Sequence, residues 1–342
     1  LLFCPIFQQY NKSLSDSLLS ENFKKQSTKL STEFVDKPET LESVGVFRHS
    51  ENPAMPVLHV ALDLPLHRLF DYVAPAASTG DVGYRVRVPF GRGERIGVIV
   101  TVSESSEWPP EQLKQAGEIL RELPPLPEDF LRLCEFASTY YQAPLGEVLL
   151  QALPAGLKRI APPIRRKGRT PQAQPGLSVP ELTAEQRAVL TAIDIHSGFA
   201  AHLLHGVTGS GKTEVYLRLI EQVLAAGRQV LLLVPEINLT PQLESRVRAR
   251  FPEANVVSLH SELAEAARER NWRAAFAGEA SIVLGTRLAI FTPLPRLGLI
   301  VVDEEHDSSF KQQDGMRYSA RDVAVFRARQ LGIPILLGSA TP

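Results

Sequence analysis

Residues Gly206–Thr213 read GVTGSGKT, and this stretch constrains the fold more than any other. It follows AAHLLH, an apolar run of strand length, and precedes EVYLRLIEQVLAAG, which has helical spacing. The pattern G-x-x-x-x-G-K-[ST] lets backbone N–H groups turn inward around phosphate oxygens, while the helix start adds its partial positive charge. Such a loop needs a strand delivering directly into a helix. From Glu181 onward the sequence supplies more of the same: QVLLLVP, NVVSLH, SIVLGT, LGLIVVDE and IPILLGS alternate with helical stretches. These runs are nearly continuous in apolar residues, as expected of parallel strands covered on both faces. The spacing therefore predicts a doubly wound parallel α/β lobe over 181–342, with a nucleotide at the carboxyl ends of its strands.

Within the loop, Gly206, Val207, Thr208, Gly209, Ser210 and Gly211 form the cradle. Lys212 is expected to reach the β- and γ-phosphates of ATP, and Thr213 to place its hydroxyl on Mg²⁺. A second acid is needed at a neighbouring strand end, and LIVVDEE supplies it. Asp303 is expected to hold Mg²⁺, and Glu304 to orient or deprotonate a water. Asp303, Glu304 and Glu305 in succession repel one another, which is a reason to expect a cation beside them.

The amino-terminal half has a different texture. Residues 1–54 are rich in Ser, Lys, Glu and Asn without periodicity and read as a disordered or non-native leader, with Met55 as a natural start. Residues 55–110 read as β-rich: VLHVALDL, FDYVAP, YRVRVPF and RIGVIVTV are separated by turn-forming stretches. Alternation in this region sets Arg85 and Arg87 on one face and predicts a basic surface. Residues 111–152 read as a helical extension, with helices over 111–122 and 128–152. Residues 153–180 read as a Pro-rich linker; between Lys158 and Pro180 it carries six Lys or Arg and no acid. It is either a solvated tether or a contact to backbone phosphates.

Bulk properties exclude some classes. A net charge of −1 over 342 residues gives no global field toward nucleic acid, so such contacts must come from local patches. Two cysteines, Cys4 and Cys134, cannot build a zinc site or a disulfide framework and suit a reducing cytoplasm. No apolar run approaches the ~20 residues of a membrane span.

The order GVTGSGKTEVYL, LVPEINLTPQ, GTRLAIFTP, DEEHDSSFKQQDGMRYSARD, LLGSATP resembles the primosomal N′ family of replication-restart helicases, within the superfamily 2 DEAD/DEAH-like helicases. MPVLHVAL, LFDYVAP, RVRVPFG and ERIGVIV resemble the amino end of the same family. The resemblance implies a RecA-like helicase lobe preceded by a small β-rich DNA-binding domain. It implies a DNA-stimulated ATPase moving 3′→5′, recognising stalled forks and initiating primosome assembly. By resemblance, Gln186 contacts adenine, and Thr240, Gln242, Thr286 and Arg287 grip single-stranded DNA. Read without the family, Thr240 before Pro241 is a helix N-cap. Ser339-Ala340-Thr341 would couple hydrolysis to lobe movement, with His306 linking the acid box to it. Phe70, Asp71, Gly91 and Lys114 would form a pocket for the 3′ end of a nascent strand.

Partners implied in the same way are forked and single-stranded DNA, single-stranded-DNA-binding protein and other primosome proteins, with a cytoplasmic, nucleoid-associated location and no membrane. Against the family pattern, only the 153–180 linker stands where a winged helix is expected. The second lobe, with the family's zinc module, would lie beyond Pro342. A chain holding the first lobe alone is expected to bind ATP–Mg²⁺ weakly and to unwind nothing. The alternative is a non-catalytic fork-binding module, which would be expected to lose Lys212 or Glu304. Lastly, Phe310, Lys311, Gln312, Arg317 and Tyr318 form an aromatic and basic tail behind the acids, expected to stack on or grip DNA and report to the ATP site.

Overall fold

The computed structural model describes residues 2–3, 55–160, 180–207 and 209–341, which fall in one compact unit. Strand β1 (Leu2–Phe3) is a two-residue edge strand. The small domain then builds β2 (Val57–Ala61), β3 (Phe70–Val73), β4 (Arg85–Phe90), β5 (Gly93–Ser103), β6 (Lys114–Gln115) and β7 (Ile119–Leu120). They form a six-stranded sheet in the order β6-β3-β2-β5-β4-β7, antiparallel except where β6 runs parallel to β3. Alternation sends Leu58, Val60, Tyr72, Val86, Val88 and Ile99 to one face, where they form the core.

Two expectations fail in this domain. Residues 111–122 are not helical: a 3₁₀ turn at Pro110–Gln112 leads into β6 and β7. Tyr72 pairs with Lys114 and Arg85 with Leu120, so sheet edges capture a segment rich in helix formers, and tertiary pairing overrides its local preference. The arginine face is not a free basic surface either. Arg85 is buried, donating to the Leu157 carbonyl at 2.8 Å and pairing with Glu122. Arg87 lies 3.9 Å from both Glu94 and Glu118.

Helices α1 (Glu128–Tyr140) and α2 (Leu145–Ala152) follow. α1 buries Phe130, Leu131, Leu133, Cys134 and Ala137; burial pushes the Cys134 thiol far above its usual range. A 3₁₀ turn at Ala155–Lys158 opens the predicted linker; 161–179 lie outside the described residues.

The lobe comprises α3 (Ala184–Ala192), β8 (Ala201–His205), α4 (Lys212–Ala225), β9 (Gln229–Leu233), α5 (Pro241–Arg250) and β10 (Val256–Leu259). It continues with α6 (Glu265–Phe276), β11 (Ile282–Gly285), β12 (Leu297–Val302), α7 (Ala320–Leu331) and β13 (Ile335–Ser339). The sheet order is β1-β8-β13-β12-β9-β11-β10, parallel throughout except for β1. Leu2 and Phe3, read as part of a leader, instead pair with His205 and Leu204 on β8; 4–54 lie outside the described residues. Val215, Tyr216, Leu219, Ile220 and Val223 on α4 are buried in the core that includes Leu204, Val230, Leu299 and Leu336.

Helices α1 and α7 join the two parts. Phe136 and Phe326 stack with ring centroids 3.6 Å apart, and the Gln330 amide donates to the Asp129 carbonyl at 2.7 Å.

Candidate functional site

The order β8-β13-β12 gathers residues that are distant in sequence. The phosphate loop leaves β8, the Ser339 segment ends β13, and the acids follow β12. Backbone bonds hold the three strand ends together: Gly206 N–H donates to Ser339 O at 3.0 Å, and Glu305 N–H to Gly338 O at 2.8 Å.

Gly209 and Gly211 adopt φ of +82° and +85°, conformations that favour glycine. Lys212, the first residue of α4, is buried; its ammonium donates to Gly206 O at 2.6 Å and lies 3.3 Å from Glu304 Oε1. The loop thus holds its own lysine. Ser210 Oγ is buried with no hydrogen-bond partner among the described residues. Val207 is exposed, Thr213 half-buried, and Thr208 lies outside the described residues.

The three acids diverge instead of converging on one cation. Asp303 Oδ1 accepts from the Tyr216 hydroxyl at 2.9 Å and from Glu304 N–H at 3.1 Å. Glu304 takes φ +48°, a left-handed conformation that side-chain-bearing residues seldom adopt, and turns to Lys212. Glu305 pairs with Arg321 at 2.9 Å. Their mutual repulsion is therefore relieved by three separate partners. Burial holds the Asp303 carboxyl above its usual range, and burial with Asp303 alongside pushes the Tyr216 hydroxyl well above its own. Among the described residues, no cluster of three His, Cys, Asp or Glu side chains is arranged to hold a metal. Mg²⁺ commonly needs only one or two protein ligands beside substrate phosphates, so Thr213 and Asp303 with a bound nucleotide still fit.

Tyr216 was not singled out in the sequence, where it reads as one more apolar helix position. Only its four-residue spacing from Lys212 would have flagged it. Gly338 makes room for it: a Cβ there would sit 1.7 Å from the Tyr216 hydroxyl.

His306 Nδ1 lies 3.1 Å from Ser339 Oγ, and Nε2 lies 3.8 Å from Glu304. Gln186 is buried in a capping box with Thr183, and its amide nitrogen donates to Gly211 O at 3.3 Å. It braces the phosphate loop from behind. Thr240 caps α5 by accepting from Leu243 N–H, Gln242 beside it is exposed, and Thr286 is buried.

The tail after the acids departs from expectation. Phe310 and Tyr318 are only 2% and 3% exposed. Tyr318 packs edge-on against Phe291, centroids 5.2 Å apart, and near Tyr141. Burial lifts both tyrosine hydroxyls, that of Tyr141 to about 12. Neither Phe310 nor Tyr318 presents a ring to a base: both are buried, and Phe291 and Tyr141 already lie against Tyr318. Arg287 Nη1 donates to Ser309 O at 2.6 Å and Lys311 O at 3.2 Å, latching the tail from below. Lys311, Arg317 and the polar tip, with half-buried Gln312, face outward.

In the small domain, Phe70 meets Phe90 edge-on at 5.5 Å, next to Gly91, whose φ is +60° and whose Cα has open space. Arg68 and Arg95, neither of them expected, lie over these rings at 4.9 and 5.3 Å. Lys114 is exposed on β6, against β3. Asp71 points to the opposite face from Phe70. It accepts from His59 Nδ1 at 2.8 Å and from the Ser106 hydroxyl.

Two family models match this chain. The 3′DNA-binding domain of PriA matches residues 59–154, and the DEAD/DEAH box helicase family matches 183–342. Over both segments the chain is similar to PriA proteins. Replication restart protein PriA of Haemophilus influenzae is 37% identical over 361 aligned positions, covering 84% of this chain and 49% of that protein. PriA of Treponema pallidum is 38% identical, covering 84% of this chain and 44% of the relative. PriA of Bacillus subtilis is 48% identical over 47% of this chain and 20% of its own length. The chain thus spans at most about half the length of these PriA relatives. The Haemophilus alignment is longer than the 342-residue chain itself, so that PriA carries a stretch with no counterpart here.

Proposed function

We propose that this chain supplies the DNA 3′-end-binding domain and the nucleotide lobe of an ATP-dependent 3′→5′ DNA helicase of replication restart. Such an enzyme recognises stalled forks and initiates primosome assembly in the cytoplasm. The observation that carries the reading is the strand order β8-β13-β12, which sets Lys212, Ser339 and Asp303–Glu304 at adjacent strand ends.

ATP would occupy Gly206–Thr213. The buried, unpartnered Ser210 hydroxyl and the positive-φ glycines suit an anion held by backbone donors. Lys212 would turn from Gly206 O and Glu304 toward the phosphates. Thr213 and Asp303 would hold Mg²⁺, which when bound neutralises charge developing on the phosphoryl group. Released from Lys212, Glu304 is free to orient and deprotonate water. His306, bonded to Ser339, relates the acid box to Ser339-Ala340-Thr341. Gln186 supports the loop by its bond to Gly211 and lies close enough to the site to serve adenine as well.

DNA contacts would come from Asp71, Phe70, Gly91 and Lys114 in the small domain. In the lobe they would come from Gln242, Thr240, Thr286, Arg287, Lys311 and Arg317. Single-stranded-DNA-binding protein and primosome components are the expected protein partners.

The test is ATP binding and hydrolysis with and without forked DNA. Lys212→Ala should lower hydrolysis at least tenfold and weaken nucleotide binding, leaving fork binding intact. Fork binding with no ATP binding by the unaltered chain would instead favour a non-catalytic module.

A further inference from the structure

The carboxylate of Asp71 does more than wait for a ligand: it ties down a loop. One oxygen accepts from His59 Nδ1 at 2.8 Å, and His59 Nε2 lies 2.8 Å from Ser103 Oγ at the end of β5. The other accepts from Ser106 Oγ, and Ser106 Oγ in turn accepts from the backbone N–H of Trp108 at 3.0 Å. The backbone of Trp108 therefore stands one hydroxyl away from the carboxylate. Beyond Trp108 come Pro109 and Pro110, a 3₁₀ turn at Pro110–Gln112, and then Lys114 paired beside Tyr72 on β3. The loop is fastened at both ends to the strand that carries Phe70 and Asp71. The residue before a proline is held extended, so Trp108 has little backbone freedom.

On this fastened loop the indole is 52% exposed, whereas the chain's other tryptophan, Trp272, is 3% exposed. A single exposed aromatic is ordinary on a protein surface. One whose backbone is fastened to a carboxylate through a single hydroxyl, inside a domain that matches a 3′DNA-binding family, is suited to a narrower use. A nucleobase offers a flat face to any aromatic regardless of sequence. An ionised carboxylate has roughly four acceptor positions; His59 and Ser106 occupy two, which leaves room for a ribose 3′-hydroxyl.

We propose that Trp108 is a base-stacking residue beside Asp71. It takes the face of a nucleobase in the single strand whose 3′-hydroxyl reaches Asp71, and Ser106 is the positioning residue that keeps indole and carboxylate together. The proposal rests on the reading of Asp71 as the acceptor for a DNA 3′ end.

The experiment uses the whole chain and a short, labelled oligothymidylate ending in a free 3′-hydroxyl, beside the same strand ending in a 3′-phosphate. With Trp272→Phe in the background, emission reports Trp108 alone. Saturable quenching by the 3′-hydroxyl strand is expected, weaker with the 3′-phosphate strand. Binding followed by anisotropy, without the Trp272 change, should weaken about tenfold in Trp108→Ala. It should recover most of that in Trp108→Phe, and Ser106→Ala should reduce both affinity and quenching. If Asp71→Ala abolishes the preference for the 3′-hydroxyl while Trp108→Ala binds like the unaltered chain, Trp108 is only a surface residue and the proposal falls. If neither the unaltered chain nor Asp71→Ala distinguishes the two strand ends, the 3′-end reading itself fails and takes the proposal with it.

Discussion

Two loops of this chain set aromatic and basic residues among small polar ones and use them in opposite ways. The loop from Asp307 to Ser319 and the loop from Ser103 to Lys114 each leave a strand. In the first, Phe310 and Tyr318 are buried, Phe291 and Tyr141 lie against Tyr318, and Arg287 latches the main chain. In the second, hydroxyls fix the main chain and the indole is left half in solvent. An aromatic beside a lysine in sequence therefore does not announce a DNA-stacking group. What decides is whether neighbouring elements reach the ring first.

The largest expected effect tests this contrast directly. Phe310→Ala removes a fully buried ring and should cost about 3–5 kcal/mol of stability. Trp108→Ala should change stability by no more than about 0.5 kcal/mol. Thermal or urea denaturation of the two variants side by side measures both. Equal losses would show that the two loops play the same structural part and would end the comparison.

The next effect concerns the latch. Arg287→Ala deletes two bonds from a charged donor to the carbonyls of Ser309 and Lys311. A bond to a charged group is worth about 1.5–3 kcal/mol. The amides of 308–319 should then exchange faster with deuterium while those of β12 and β13 remain protected. Unaltered exchange would mean that Phe310 and Tyr318 hold the tail without help. Arg287 is also a proposed DNA contact, so any loss of DNA binding in this variant would come with loosening of the tail.

The limits of sequence reading follow from the same physics. The parallel lobe was legible because its signals are local and repeated: a strand, a glycine-rich turn and a helix at Gly206–Thr213, then further near-continuous apolar runs. The adjacency of Lys212, Asp303 and Ser339 was legible through that pattern together with the family resemblance. Partnerships set by pairing across the sheet were not. Nothing in QLKQAGEIL shows that two of its dipeptides close the edges of a sheet. Nothing in RVRV shows that Glu122, Glu94 and Glu118 will wait opposite its arginines. Tyr216 was missed because a tyrosine on the inner face of a helix looks like core, and it is core, yet its hydroxyl also reaches Asp303. His59 was missed because its spacing from Asp71 acquires meaning only when β2 and β3 pair and set the two opposite each other.

The smallest effect separates what remains of the tail's role in DNA binding. Lys311 and Arg317 are exposed, and Gln312 N–H donates to Tyr318 O at 2.8 Å, so the tip between them is a closed turn. Lys311→Ala and Arg317→Ala should each leave stability unchanged within about 0.5 kcal/mol. If these cations meet phosphates, each change should also lower the slope of log affinity for single-stranded DNA against log salt by about 0.7. A phosphate contact is indifferent to base identity, so the loss should be equal on thymine-rich and mixed strands. A stacking contact at Trp108 would leave the salt slope untouched while lowering affinity. Measuring affinity across a salt series for all three variants thus assigns charge to one loop and stacking to the other. Identical salt slopes in all three would place the phosphate contacts elsewhere in the chain and leave the tail a purely structural extension of the acid box.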